Sequence, residues 1–425
     1  MKLDKLKLKN FRSYSQETEI GISDLNVIIG KNDIGKSTIL EALDIFFNGK
    51  PDKNDLCIEN DNSRIEITCV FTDLPDKLIL DDTIATNLSD EYLLNSDRKL
   101  EIKKSFPVSG SGSVSEESVI ICNYPDNENL ADLLSKKRTT LQLQFGELGI
   151  DPEDVNRSKS KELRNAIRNH YYEDGQVTTH ETQIKIDGRL DNEDNRKKIW
   201  TNLKKYLPLF SLFFVDKPLN DQDSDIQDPM KEIIKEVLRR DNITPLLEQL
   251  KEAVQDASTN LADDTINKLN DLDSELAETL RSNFPKEPTW NSIFKLTLED
   301  DRGVPLNKRG SGMRRLVLLS FFRAQVENRR TANAPNIIYA LEEPETSQHP
   351  DFKLMIVNAL KELSETDNAQ VFFTTHNSNL AKEIPKGSLR YVHSENGQVN
   401  VESGLNEDGT DNEEIIDRII QTLGA

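Results

Sequence analysis

One short segment constrains this chain more than any other: Gly30-Lys31-Asn32-Asp33-Ile34-Gly35-Lys36-Ser37 matches GxxxxGK[ST] in full. Its flanks give it a context. Upstream, LNVIIG at 25–30 is a short apolar run rich in β-branched residues that stops at a glycine, the pattern of a buried strand. Downstream, Ile39, Leu40, Leu43, Phe46 and Phe47 recur at helical spacing, so the period changes from 2 to 3.6 across the glycines. A strand, a glycine loop and a helix in this order predict an α/β fold with an anion site at the loop. Backbone N–H groups and the helix N-terminus are donors without intrahelical partners, able to wrap a β-phosphate. Lys36 then reaches the β- and γ-phosphates and Ser37 offers a hydroxyl to Mg²⁺. Gly30, Asn32, Asp33, Gly35 and Thr38 complete the expected ATP-binding set.

Hydrolysis needs carboxylates near the metal and the attacking water, and these belong at the end of a buried strand. The segment IIYALEEPE at 337–345 supplies them. Glu342 is the expected metal ligand beside Ser37, and Glu343 the base that orients and deprotonates water. In VFFTTHNS, His376 follows another apolar run, where a neutral imidazole suits the γ-phosphate or the water. Lys36, Glu343 and His376 are therefore the expected catalytic residues. In LNKRGSGMRR a Gly-Ser-Gly turn opens a predicted helix, a second anion site carrying Ser311 and Gly312. Arg309, Arg314 and Arg315 beside it suit phosphate or partner contacts and a solvated basic face equally well.

Alternation at 64–71 and 98–106 extends the α/β texture, which the GSGS stretch at 110–113 is expected to end. Residues 3–9, where Leu alternates with charge, predict an amphipathic edge-type strand. From 125 to 285 the chain reads as long polar helices, and apolar runs return at 293–298, 337–341, 370–374 and 389–392. The expected organisation is one head built from 1–124 and 286–425, interrupted by a helical insertion at 125–285. Ile266, Leu269, Leu272 and Leu276, three or four apart, suit a helix packed on its own domain or an intermolecular seam.

A formal charge of −21 means that any DNA contact must come from a local basic surface. The candidates are Lys5, Lys7 and Lys9, or the 157–168 helix with Arg157, Lys159, Lys161, Arg164 and Arg168. The three cysteines show neither CxxC spacing nor a His cluster, which argues against a disulfide framework or a zinc site. With no signal-like or membrane-spanning run, a cytoplasmic protein without a membrane partner is expected.

Together, NFRSY at 10–14, the glycine loop, RGSGMRR at 309–315, LEEPE at 341–345 and TTH at 374–376 resemble the ABC-like ATPases of the SMC, RecF and OLD group, and most of all the ATPase region of OLD-family proteins. LPLFSLFFVDKPLNDQDSDIQDPMKE at 207–232 resembles an OLD-family stretch preceding a helical dimerisation insert. The resemblance implies an ABC-like P-loop ATPase head formed by both chain ends, with ATP and Mg²⁺ sandwiched between two heads. It further implies Ser311 and Gly312 acting in trans, Arg12 contacting nucleotide, and a homodimer or higher oligomer formed through the heads and the helical insert. A nuclease or toxin effector gated in anti-phage defence or DNA processing follows from the same likeness. Many relatives carry Asp where this chain has Glu342. OLD-family nucleases usually continue into a Toprim domain, for which the 49 residues after His376 are too few, so a fragment of a longer nuclease and a stand-alone ATPase both fit. Two other functions compete: a RecF- or SMC-like DNA clamp in repair, and an ATP-bound scaffold that holds a toxin.

Overall fold

The computed structural model of the chain describes residues 1–58, 63–80, 85–151, 155–172, 177–186, 196–214, 238, 243–270, 274, 320, 322, 324, 335–345, 350–377, 383–395, 397–406 and 408–423. The chain divides into two compact units, Met1–Asp216 with Arg315–Ala425, and Lys217–Arg314.

The strands of the first unit are, in chain order, β1 (Lys2–Lys9), β2 (Thr18–Gly21), β3 (Leu25–Gly30), β4 (Arg64–Thr72), β5 (Leu100–Pro107) and β6 (Glu117–Pro125). After them come β7 (Thr179–Lys185), β8 (Leu209–Phe214), β9 (Ile337–Glu342), β10 (Ala369–Thr375), β11 (Leu389–Glu395) and β12 (Gln398–Ser403). The described helices of the whole chain are α1 (Lys36–Asn48), α2 (Arg138–Glu147), α3 (Ser160–Tyr171), α4 (Arg196–Leu203), α5 (Thr244–Asn270), α6 (Pro350–Ser364) and α7 (Glu413–Leu423).

Among the described residues these strands form two six-stranded sheets, in the orders β2-β1-β4-β5-β6-β7 and β12-β11-β3-β10-β9-β8. The first is antiparallel at every pairing. In the second, β11, β3, β10, β9 and β8 run parallel, and only β12 is antiparallel, at one edge. The fold is α/β, and the sheet order shows why both chain ends are needed: β3 from the N-terminal part lies between β10 and β11 from the C-terminal part. The continuous apolar runs of β3 and β10 are buried at every position, because the parallel sheet is covered on both faces. On one face Val27, Ile29, Val371 and Phe373 pack with α6 and α7; on the other Ile28 and Phe372 pack with α1 and the first sheet.

Several expectations change at this level. β1 is not an edge strand: it lies between β2 and β4. Its charged face is no sign of an edge, because Lys5 pairs with Glu19 on β2, Lys9 with Glu66 on β4 and Lys7 with Glu101 on β5, one strand further. A register shift between Leu3 and Lys5 absorbs the uneven leucine spacing, so Leu3, Leu6 and Leu8 are all buried. The GSGS segment lies in the turn between β5 and β6 and does not end the α/β region, since β6 and β7 extend the same sheet.

The first compact unit comprises Met1–Asp216 and Arg315–Ala425. Strand pairing ties this unit together: β7 pairs with β6 and β8 with β9, partnerships made across long separations that local composition does not reveal. α2 and α3 are helical as expected and bury Leu141, Phe145, Leu163 and Ile167 together.

The 157–168 helix is a second correction. Arg164 and Arg168 do not face solvent; both are buried and bind the buried Glu91 carboxylate, at 2.6 Å and 3.0 Å. Lys161 pairs with Asp90, Lys159 with Glu162, and Arg157 lies over the Phe145 ring. What reads in sequence as a basic face is in large part an internal ion cluster that docks α3.

In the second unit, α5 exposes Leu246, Leu250, Val254 and Leu261 and carries Ile266 and Leu269; Leu272, Leu276 and the 293–298 run lie outside the described residues. Among the described residues, no helix is long and apolar enough to cross a membrane. The three cysteines are free and buried.

Candidate nucleotide site

The parallel register brings the expected site residues to one edge of the second sheet. β3, β10 and β9 are neighbours, with Thr375 opposite Ile29 and Phe373 opposite Leu341, so Gly30, Glu342 and His376 all lie at or just beyond the carboxyl ends of adjacent strands. Crevices at such ends are where open α/β sheets bind ligands.

Gly30 ends β3 against β11, where a side chain would collide with the Val392 carbonyl. Residues 31–33 are exposed, with Asp33 at φ 60°, and Gly35 turns the chain into α1 at φ 106°. The NFRSY segment braces this turn from behind. Tyr14 donates its hydroxyl to the Gly35 carbonyl at 3.0 Å, and a Cβ at Gly35 would come within 2.6 Å of Ser13 Oγ. Neither role was expected from sequence, where Ser13 and Tyr14 were visible only as letters of the NFRSY segment.

Lys36 is buried, and its Nζ donates to the carbonyls of Gly30 (3.1 Å) and Lys31 (2.7 Å), so its ammonium rests inside the loop. Burial pushes this amine below its ordinary value, while Glu343, Asp33, Glu342 and Glu345 pull the other way. Ser37 Oγ donates to Glu342 Oε1, joining the two ends of the chain through a hydroxyl and a carboxylate. Both are hard oxygen donors, the set that suits Mg²⁺ and not a thiophilic metal. Thr38 is buried one position further along α1.

Glu343 follows β9 with φ 42°, a left-handed conformation that a glutamate adopts only when its surroundings hold it. Its backbone N–H donates to Thr374 Oγ1 at 3.0 Å, and its Oε1 lies 3.1 Å from His376 Nδ1. Both side chains are partly solvent-accessible. Thus Lys36, Ser37, Glu342, Glu343 and His376 meet at one edge, although 305 residues separate Ser37 from Glu342.

The Arg12 guanidinium binds Glu41 on α1 and Asp55, the latter at 2.8 Å. Ser311 and Gly312, with Arg309, Arg314 and Arg315, lie outside the described residues. Glu345 and Thr375, not singled out from the sequence, also belong to the cluster: Thr375 donates to Glu345, and both are buried. The doubled threonine before His376 and the third glutamate of LEEPE, directly after Pro344, were the available signal.

A family model described as AAA ATPase domain matches residues 1–381. The chain belongs to the AAA ATPase domain family. Among curated proteins, this ATPase chain is 21% identical over 435 residues to "Endonuclease GajA" of Bacillus cereus (strain HuB5-5), covering 94% of this chain and 59% of the relative. It therefore spans well under two thirds of that relative's length. A 116-residue region, 27% of this chain and 12% of the relative, is 27% identical to "DNA double-strand break repair Rad50 ATPase" of Saccharolobus solfataricus. Among solved structures, the SMC head domain from Thermotoga maritima aligns with 95% of this chain and 99% of its own, at 14% identity and TM-score 0.37.

Proposed function

We propose that this AAA ATPase domain hydrolyses ATP with Mg²⁺, and that its ATP cycle gates an attached or partner nuclease of the OLD type. The observation that carries the proposal is the meeting of Ser37 with Glu342 beside the Glu343–His376 contact, at the edge where Lys36 lies in its glycine loop. Ser37 and Glu342 would hold Mg²⁺, which supplies charge neutralisation for the β- and γ-phosphate oxygens when bound. Lys36 exchanges its carbonyl partners for phosphate oxygens, and the buried ammonium gains an anionic partner. Glu343 orients and deprotonates the attacking water. His376, in contact with Glu343, accepts or shares that proton and meets the γ-phosphate side.

Ser311 and Gly312 would close the site from a second head, making a homodimer or larger assembly the hydrolysing species. The GajA likeness supports a nuclease as the gated activity, since that relative is named an endonuclease. A DNA clamp has less support, because the lysines of β1 are paired with carboxylates and the arginines of α3 are buried with Glu91.

The direct test is ATP turnover by the purified chain with Mg²⁺ and with excess chelator, alongside Lys36→Ala. Turnover is expected to require the metal. Loss of the Lys36 contacts is expected to weaken ATP binding by about 1.5–3 kcal/mol, roughly ten- to a hundredfold in Kd. Metal-independent turnover, or an unchanged Kd in a folded Lys36→Ala, would remove the assignment.

A further inference from the structure

Glu345 has no part in the chemistry described so far, yet it is 1% exposed beside the reacting cluster. One carboxyl oxygen accepts from Thr375 Oγ1; the other, also buried, has no hydrogen-bond partner among the described residues. Thr375 is itself fully buried, and its Oγ1 in turn accepts from the Asn377 N–H at 3.0 Å. The hydroxyl's bond to the Asn377 N–H therefore closes a turn over His376, the residue between Thr375 and Asn377, and the carboxyl holds that hydroxyl. Next to them, Thr374 Oγ1 accepts from the Glu343 N–H at 3.0 Å. Two consecutive threonines at the end of β10 thus clip two residues of the loop after β9, one through a backbone N–H and one through a carboxyl.

We propose that Glu345 is a positioning residue: through Thr375 it fixes the turn that presents His376 to Glu343. The proposal rests on the ATP-hydrolysis reading above and extends it to a residue that touches neither nucleotide nor water. Burying a carboxyl is costly, and a side chain that served only to fill this space would be apolar. Burial pushes the Glu345 carboxyl up, against the pull of the Thr375 hydroxyl. Glutamine keeps a carbonyl oxygen that can accept from Thr375, so it is the conservative replacement and alanine the disruptive one.

The test measures steady-state ATP turnover of the full chain for Glu345→Gln, Glu345→Ala, Thr375→Ser, Thr375→Val and the Glu345→Ala/Thr375→Val pair, with thermal unfolding of each. Glu345→Ala and Thr375→Val are expected to lower kcat about tenfold while KM for ATP stays within about twofold of the wild type. Glu345→Gln and Thr375→Ser are expected to keep most activity, and the pair to lose no more than the worse single variant, because both act through one contact. Losses that multiply in the pair, a KM that rises in step, or conservative variants as impaired as the disruptive ones would overturn the proposal. If Glu345→Ala unfolds, Thr375→Val against Thr375→Ser decides it alone. A wild-type chain without ATP turnover overturns the ATPase reading itself. Full turnover in Glu345→Ala and Thr375→Val, with Glu343→Gln inactive, overturns only the role of Glu345.

Discussion

Glu343→Gln is expected to lower ATP turnover by about 10²- to 10⁴-fold, the range set by removing a positioned general base. The substitution preserves shape and can still meet His376, but an amide does not take a proton from water. The contacts that bind nucleotide lie on other residues: Lys36 and the loop carbonyls around it, and the Ser37–Glu342 pair. Affinity for ATP should therefore stay near wild type while the bound nucleotide persists uncleaved. If two heads close around ATP, the variant should also accumulate as the closed oligomer, visible by light scattering or sedimentation. Radiolabelled ATP in single-turnover mode separates the steps. Turnover within threefold of wild type would show that the base lies elsewhere, and a lost affinity would show that Glu343 holds the substrate.

Glu91→Ala is expected to destabilise the fold by about 3–5 kcal/mol, because it leaves two buried guanidiniums without their counter-charge. Glu91 accepts from Arg164 Nε at 3.0 Å and Nη2 at 2.6 Å, and from Arg168 Nη2 at 3.0 Å, all in the interior between α3 and the 86–92 loop. Arg168 is further fixed by the Asp90 carbonyl and by the Tyr92 ring beneath it. Burial opposes ionisation of Glu91, but the two guanidiniums outweigh it and hold the carboxyl below its ordinary value. A depressed carboxyl contributes stability that is present above its unfolded-state pKa and lost as pH falls through the folded one. Urea unfolding should therefore show the wild type losing its advantage over Glu91→Ala as pH drops below the ordinary glutamate value of 4.5. Replacing Glu91, Arg164 and Arg168 together by apolar residues of similar volume should recover much of the loss, since a buried ion cluster compensates its own desolvation poorly. A single-variant cost under 1 kcal/mol at neutral pH would mean that water reaches the arginines. Because the contacts of this cluster named above involve no residue of the nucleotide edge, turnover per folded molecule should be unaffected.

The two experiments probe features of opposite legibility. The glycine loop could be identified letter by letter, since a GxxxxGKS segment between a β-branched run and a helical one has few other physical uses. The strand-end carboxylates and His376 followed by the same logic: a continuous apolar run must be a covered parallel strand, and polar residues at its carboxyl end face the crevice. Local pattern was sufficient there because each inference needed only one element and its end.

Where partnership between distant elements mattered, local pattern misled. The arginines of α3 look like a solvated or DNA-facing stripe until Glu91, 73 residues away, is brought against them. The lysines of β1 suggest an edge until the cross-strand carboxylates are placed opposite. The compact unit extends to Asp216 because β7 and β8 find strands far off in sequence, and nothing in a polar helical stretch announces that the chain will return to the sheet. By itself the sequence determined the α/β class, the loop and the residue types at the nucleotide edge, since these depend on period and on chemistry at strand ends. Only the tertiary structure decided which charges are spent internally, where the units divide, and that Glu345 and Thr375 stand behind Glu343 and His376. Those outcomes depend on pairing register, which is a property of two segments at once.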